Sequence, residues 1–186
     1  MLEQHLITHC SPTLAGLKTG SLFCFPYPSE LQLQAELARC RPALCAKGVL
    51  IRVLRRRRGR ALLYVYRPAD LEQDFRKSGV RSFLQQMGYA PQPEKALRQL
   101  EQRLAHRVDC PHEIGLFLGY PLSDVVGFIL NRGQNCKCTG CWKVYSNEAE
   151  TRRRFAQFKR CQQIYAYQFQ KGRTLSQLTV SGVPLS

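Results

Sequence analysis

Apolar positions along this chain follow two rhythms. Val49-Leu50-Ile51-Arg52-Val53-Leu54 and Ala61-Leu62-Leu63-Tyr64-Val65-Tyr66 are short, β-branched or aromatic runs on either side of an Arg-rich turn containing Gly59. That spacing predicts an antiparallel hairpin, closed by Arg67-Pro68. Further short strands are expected over 22–25, ended by Pro26 and Pro28, and over 142–145. The helical rhythm is clearest over 93–106, where Leu97, Leu100 and Leu104 share one face and Glu94 precedes Arg98 by four residues. Over 148–171, Phe155, Phe158, Cys161, Tyr165 and Phe169 form a stripe, with Asn147 and Glu150 as a capping box and Gly172 as the stop.

Weaker helical patterns fill the gaps. Ser29 caps a segment to about Cys40, carrying Leu31, Leu33, Leu37 and Ala38. Short helices are expected near 69–76, 79–87, 111–118 and 123–131. Ser11 followed by Pro12 reads as an N-cap and first helical residue, so only a helical turn ending near Gly16 is expected there. The sum is one α+β domain over 1–186, a small and mostly antiparallel sheet covered by helices.

Charge changes this picture. The formal net charge is +15, and nine Lys or Arg with no acid fall between Arg39 and Arg60. Arg55, Arg56, Arg57, Arg58 and Arg60 form a basic finger suited to phosphate and carboxylate. Nucleic acid, another polyanion or an acidic protein are the partners this implies, set against a simple solvated turn. No apolar run approaches the ~20 residues of a membrane-spanning helix. The first residues carry an acid and no basic or apolar leader pattern, so a cytoplasmic, non-membrane protein is expected.

Nine cysteines without a leader argue for reduced thiols over a disulfide framework. Three of them, Cys136, Cys138 and Cys141, lie within six residues beside the only Trp, Trp142. With Cys161 they make a candidate zinc or iron site, and Cys110 or His112 are further sources of the fourth ligand. A tight structural turn is the competing reading. A thioredoxin-like use fits poorly, because that motif opens a helix and 142–145 reads as a strand.

Other motifs are incomplete. The two helices near 112–118 and 122–131 resemble a helix-turn-helix. The second is too apolar to read base edges, and such a helix belongs in a core. His112-Glu113 lacks the second His of a zinc-protease helix. The 18–21 loop is rich in small residues without a P-loop pattern. Candidate ligand-binding residues are Lys18, Thr19, Ser21, His112, Glu113, Tyr120, Lys137 and Trp142, expected to converge on one concavity. Cys10, His112 or Glu113 are the groups an enzyme would use.

The stretches 12–21, 62–67, 112–121 and Cys136-Lys137 with Trp142-Lys143-Val144-Tyr145 carry a resemblance. On them, the chain resembles a bacterial family designated domain of unknown function 3793, over most of its length. The resemblance implies an anaerobic setting, which fits the thiol load, and genes neighbouring iron-transport or flavodoxin functions. It does not require Cys at 138 and 141, and it supplies no activity. The function expected is a ligand- or partner-binding protein, with an iron- or redox-linked accessory role. Polyanion binding and enzyme action are the alternatives.

Overall fold

The computed structural model describes residues 1–106 and 109–182. Three strands form an antiparallel sheet in the order β1-β3-β2: β1 (Gly20–Pro26), β2 (Leu50–Arg57) and β3 (Arg60–Tyr66). The expected hairpin is β2–β3, with Leu50 opposite Tyr66 and Arg57 opposite Arg60. The register shifts between Val53 and Arg55. Such a bulge locally sharpens the twist of the strand pair.

The central strand β3 is buried along Ala61–Tyr66 on both faces, so alternate residues feed two different cores. Ala61, Leu63 and Val65 join α1 (Leu2–Leu14) and α2 (Glu30–Cys45). Leu62, Tyr64 and Tyr66 join α3 (Pro68–Arg76), α4 (Val80–Gln86), α5 (Pro93–His106), α6 (Ile114–Phe117) and α7 (Leu122–Leu130). A three-stranded sheet buried on both faces is thus enclosed by helices, the α+β class expected from the sequence.

A third cluster forms from Trp142, Val144 and Phe158, with Leu17, Tyr120, Cys138 and Phe155 against it. Its sheet element is a hairpin of two short strands, β4 (Cys138–Thr139) and β5 (Lys143–Val144), followed by α8 (Glu148–Gln170). Asn147 caps α8 as expected, its Oδ1 accepting from the Glu150 N–H at 3.2 Å. The α8 helix then packs along α1.

Two expectations are corrected. The single turn expected after Ser11 is instead the end of α1, which starts at Leu2 and runs through Pro12. Leu2, Leu6, Cys10 and Leu14 recur every four residues and are fully buried. That stripe overrides the local proline signal, and the Ser11 hydroxyl donates back to the Ile7 carbonyl. The other correction is α7, expected in a core. Only Asp124 and Val125 are buried there, Phe128 and Ile129 are half-buried, and Leu130 is exposed. An apolar helix left this open is unusual, and it borders the site described next.

Arg67, immediately after β3, joins three parts of the chain. Its guanidinium donates to the carbonyls of Thr13 (2.7 Å), Leu14 (2.8 Å) and Val180 (2.7 Å). It is 3% exposed. Thr13 and Leu14 end α1, so the cation also lies at the negative end of that helix. Val180 belongs to the tail, whose N–H returns to the Leu14 carbonyl at 2.9 Å.

Candidate functional site

Asp124 organises the region. Its carboxylate is buried at the start of α7. Oδ2 accepts from the Trp142 indole N–H at 2.8 Å. Oδ1 accepts from the backbone N–H groups of Tyr145 and Ser146, both at 2.8 Å, and from the Ser146 hydroxyl at 2.7 Å. Four donors on one carboxylate bind the β4–β5 hairpin to α7. Lys137 contributes from the hairpin itself, its amine donating to the Ser146 carbonyl at 2.7 Å.

Held this way, Trp142 stacks on Tyr120 with centroids 4.4 Å apart and meets Phe155 edge-on at 4.6 Å. The turn before it must come very close to Phe155. A Cβ on Gly140 would collide with that ring, so glycine is required. Gly119 is required for two reasons. Its φ is +77°, and a Cβ there would meet the Thr19 hydroxyl at 2.6 Å.

A cleft of about 310 Å³ opens between α7 and the hairpin. Phe128 and Trp142 are its chief aromatic walls, with Tyr120, His112, Val125 and Cys141 around them. The lining is mainly apolar, as small-molecule sites commonly are. His112 is exposed and its ring lies 4.9 Å from that of Phe128. Lys143 donates to the Gly133 carbonyl at 2.7 Å and sits 5.9 Å from the Phe128 centroid. The Arg154 guanidinium lies 5.9 Å from the Trp142 ring. Of these two cations, Lys143 lines the aromatic hollow.

A second, smaller hollow of about 200 Å³ shares Tyr120 and Cys141 with the first. His9, Lys18, Ser21 and Gln162 line it. The Lys18 amine lies 5.3 Å from the Tyr120 centroid. Burial pulls the Lys18 ammonium down to about 8, against a smaller opposing pull from the Cys141 and Cys10 thiols. Burial also pushes the Tyr120 phenol up to about 12 and raises the Cys141 thiol.

The eight residues expected to converge separate into three groups. His112, Tyr120 and Trp142 line the cleft. Lys18 and Ser21, again with Tyr120, line the smaller hollow. Thr19, Glu113 and Lys137 are engaged elsewhere. The Thr19 hydroxyl donates to Asp74. Glu113 is buried, accepting from Tyr89 at 3.0 Å and pairing with Arg103 at 3.1 Å. Cys10 is fully buried with its thiol pushed far up by desolvation, so it faces no substrate as a thiolate.

The metal centre expected on Cys136, Cys138, Cys141 and Cys161 is not assembled. Among the described residues no three His, Cys, Asp or Glu side chains come together in a metal-holding group. The strand geometry of the hairpin disperses the thiols. Cys136 lies 3.5 Å from the Thr139 hydroxyl, Cys138 packs on the Trp142 cluster, Cys141 is exposed beside Lys18, and Cys161 is buried on α8. All nine cysteines are free thiols.

Sequence reasoning missed Asp124, Phe128 and Lys143. Asp124 left a signal: it is the one acid in the apolar run 122–130. A carboxylate there requires dedicated donors.

Four of the five finger arginines, Arg56, Arg57, Arg58 and Arg60, are exposed and Arg55 is half-buried. Arg56 pairs with Glu30 at 3.0 Å. Arg55, Arg57, Arg58 and Arg60 surround a depression of about 410 Å³ with Cys24 and Leu62. Among the described residues no carboxylate lines it.

A family model described as protein of unknown function (DUF3793) matches residues 6–179, so the chain belongs to that family. No curated protein and no solved structure matches the chain significantly.

Proposed function

We propose that this member of the DUF3793 family is a cytoplasmic protein that binds a small, flat, largely apolar ligand carrying an anionic group. The observation supporting this most strongly is the cleft between Phe128 and Trp142. Its aromatic walls offer stacking faces, and Lys143 in its lining favours negative charge. The buried Asp124 carboxylate is fully used by the hairpin, so its role is to position Trp142. An accessory role linked to iron or redox metabolism in a low-oxygen cell is in keeping with nine free thiols, two of them, Cys110 and Cys141, at the cleft. Among the described residues no helix is long and apolar enough to cross a membrane.

The single Trp makes the test direct, because intrinsic tryptophan fluorescence has no other source. The probe is 2-naphthoate, a flat aromatic carboxylate. Titration is expected to change Trp142 fluorescence saturably. Phe128→Ala is expected to weaken binding about tenfold, which corresponds to roughly 1.4 kcal/mol for removal of one aromatic stacking partner. An unsaturable response, or equal affinity in the variant, contradicts the reading.

The arginine depression favours a second activity, binding of a polyanion such as nucleic acid. Clustered guanidinium groups with no lining carboxylate attract phosphate. Replacing Arg56, Arg57 and Arg58 together with Ser is expected to weaken binding and to lower the salt slope by about 0.7–0.9 for each phosphate no longer neutralised. The fold is expected to tolerate the change, since exposed substitutions cost within about 0.5 kcal/mol each. Unchanged affinity and salt slope for a mixed-sequence oligonucleotide make the finger a solvated turn.

A further inference from the structure

We propose that the outward face of α8 binds single-stranded nucleic acid. From Thr151 to Ser186 the chain holds seven Lys or Arg and no Asp or Glu. Phe158 and Cys161 lie on the buried side of α8, and the helix packs along α1. The opposite side presents Arg153, Gln157, Arg160, Ile164, Tyr167 and Lys171, all exposed. They are spaced alternately four and three residues apart, so they form one row along the helix. At ~1.5 Å per residue the row is about 27 Å long, enough to run beside several nucleotides.

Two features distinguish this row from a solvated face. The first is its charge. Elsewhere exposed helical cations pair within their own helix: Arg39 with Glu36, Arg76 with Glu72, Arg98 with Glu94, and Arg152 with Glu148 at the start of α8. Beyond Arg152 the helix has no acid to do this. Among the described residues Arg153, Arg160 and Lys171 have no ion pair. The second feature is its apolar content. Ile164 is 48% exposed and Tyr167 is 57% exposed. They lie about one helical turn apart, between Arg160 and Lys171, and the Lys171 amine is 5.6 Å from the Tyr167 centroid.

Cations along a row attract a phosphate backbone, and an exposed ring stacks on any base. Gln157 adds an amide that both donates and accepts. A base stacked on Tyr167 brings its phosphate toward Lys171. In a duplex the bases already stack on one another, so the ring favours a single strand. An acidic polypeptide would answer the cations without needing the ring. The arginine finger of β2–β3 is a different surface, and this inference does not rest on it.

The test is fluorescence anisotropy of a fluorescein-labelled, mixed-sequence DNA single strand of about 20 nucleotides, titrated at several salt concentrations. Saturable binding is expected. Replacing Arg153, Arg160 and Lys171 together with Ser is expected to lower the salt slope by about 2, at ~0.7 for each phosphate no longer neutralised. Tyr167→Ala is expected to weaken single-strand binding about tenfold and to leave binding of the matching duplex nearly unchanged. Tyr167→Phe keeps the ring and is expected to bind as the parent does. All these positions face solvent, so the Tm of each variant should stay near that of the parent.

Each titration is run on the parent and on protein with Arg56, Arg57 and Arg58 replaced by Ser. The α8 effects are expected in both, so this inference and the finger reading can fail separately. Affinity and salt slope unchanged in the α8 triple variant overturn the proposal. So does a Tyr167→Ala variant that binds the single strand as tightly as the parent. So does poly-L-glutamate binding the parent as tightly as the single strand does, with the same loss in the triple variant, because the face then serves an acidic protein.

Discussion

Replacing Asp124 with Ala is expected to detach the β4–β5 hairpin and to lower stability by about 3–4 kcal/mol. The estimate follows from four hydrogen bonds to one buried carboxylate, each charge-assisted, and from a Trp142 N–H left without an acceptor. For a chain of this length, 1 kcal/mol moves Tm by roughly 2–4 °C, so a fall of about 6–16 °C is expected. Trp142, now 8% exposed, should meet water, and its emission should shift to longer wavelength. Asp124→Asn retains one acceptor oxygen but presents an amide donor to a neighbouring donor. It should cost about half as much. Calorimetry with tryptophan emission checks both. A variant of unchanged Tm and emission would show that the hairpin stays in place by packing alone.

A loss of similar size is expected from Arg67→Met, for a different reason. The guanidinium donates to three backbone carbonyls, two ending α1 and one in the tail. The Thr13 and Leu14 carbonyls keep the Gly16 and Val180 N–H groups, so the loss is of three charge-assisted hydrogen bonds and one acceptor left unsatisfied, roughly 3–4 kcal/mol overall. Lysine has the charge without the rigid fork, and Arg67→Lys should restore less than half of the loss. The local signature is faster hydrogen exchange over 175–182, because Val180 and Gly182 bond to Leu14 and Lys47 only while the tail is seated. Exchange confined to the sheet would point to a defect in β3 instead.

Legibility in the sequence tracked how local the cause of each feature was. The β2–β3 hairpin follows from two apolar runs and a turn between them, α5 from a sustained stripe, and α8 from a stripe with an N-cap. Those causes lie within a dozen residues. The start of α1 was obscured because Pro12 is a strong local signal, whereas the stripe from Leu2 to Leu14 gains only on packing against β1 and α8. The short strand β4 has two residues and no pattern of its own. It exists because Asp124 and Lys137 hold its hairpin in place.

The site divided in the same way. Trp142, Tyr120 and His112 could be singled out as chemistry-bearing residues, and they do share a cleft. Glu113 looked equally eligible, but its partner Arg103 lies on α5, where no local pattern announces it. Cysteine spacing misled because a C-x-x-C motif constrains two sulfurs. The third and fourth ligands depend on tertiary placement, and the thiols here are dispersed across the hairpin and α8.

The central claim is that the space between Phe128 and Trp142 is a ligand site. Intermolecular nuclear Overhauser effects between 2-naphthoate and the protein test it most directly, because they give the position of the probe as well as its binding. The account predicts cross-peaks to the Phe128 ring, the Trp142 indole and the His112 imidazole, all abolished when Asp124→Ala frees the hairpin. Cross-peaks confined to the exposed arginines of the β2–β3 finger, with none to Phe128 or Trp142, would contradict it.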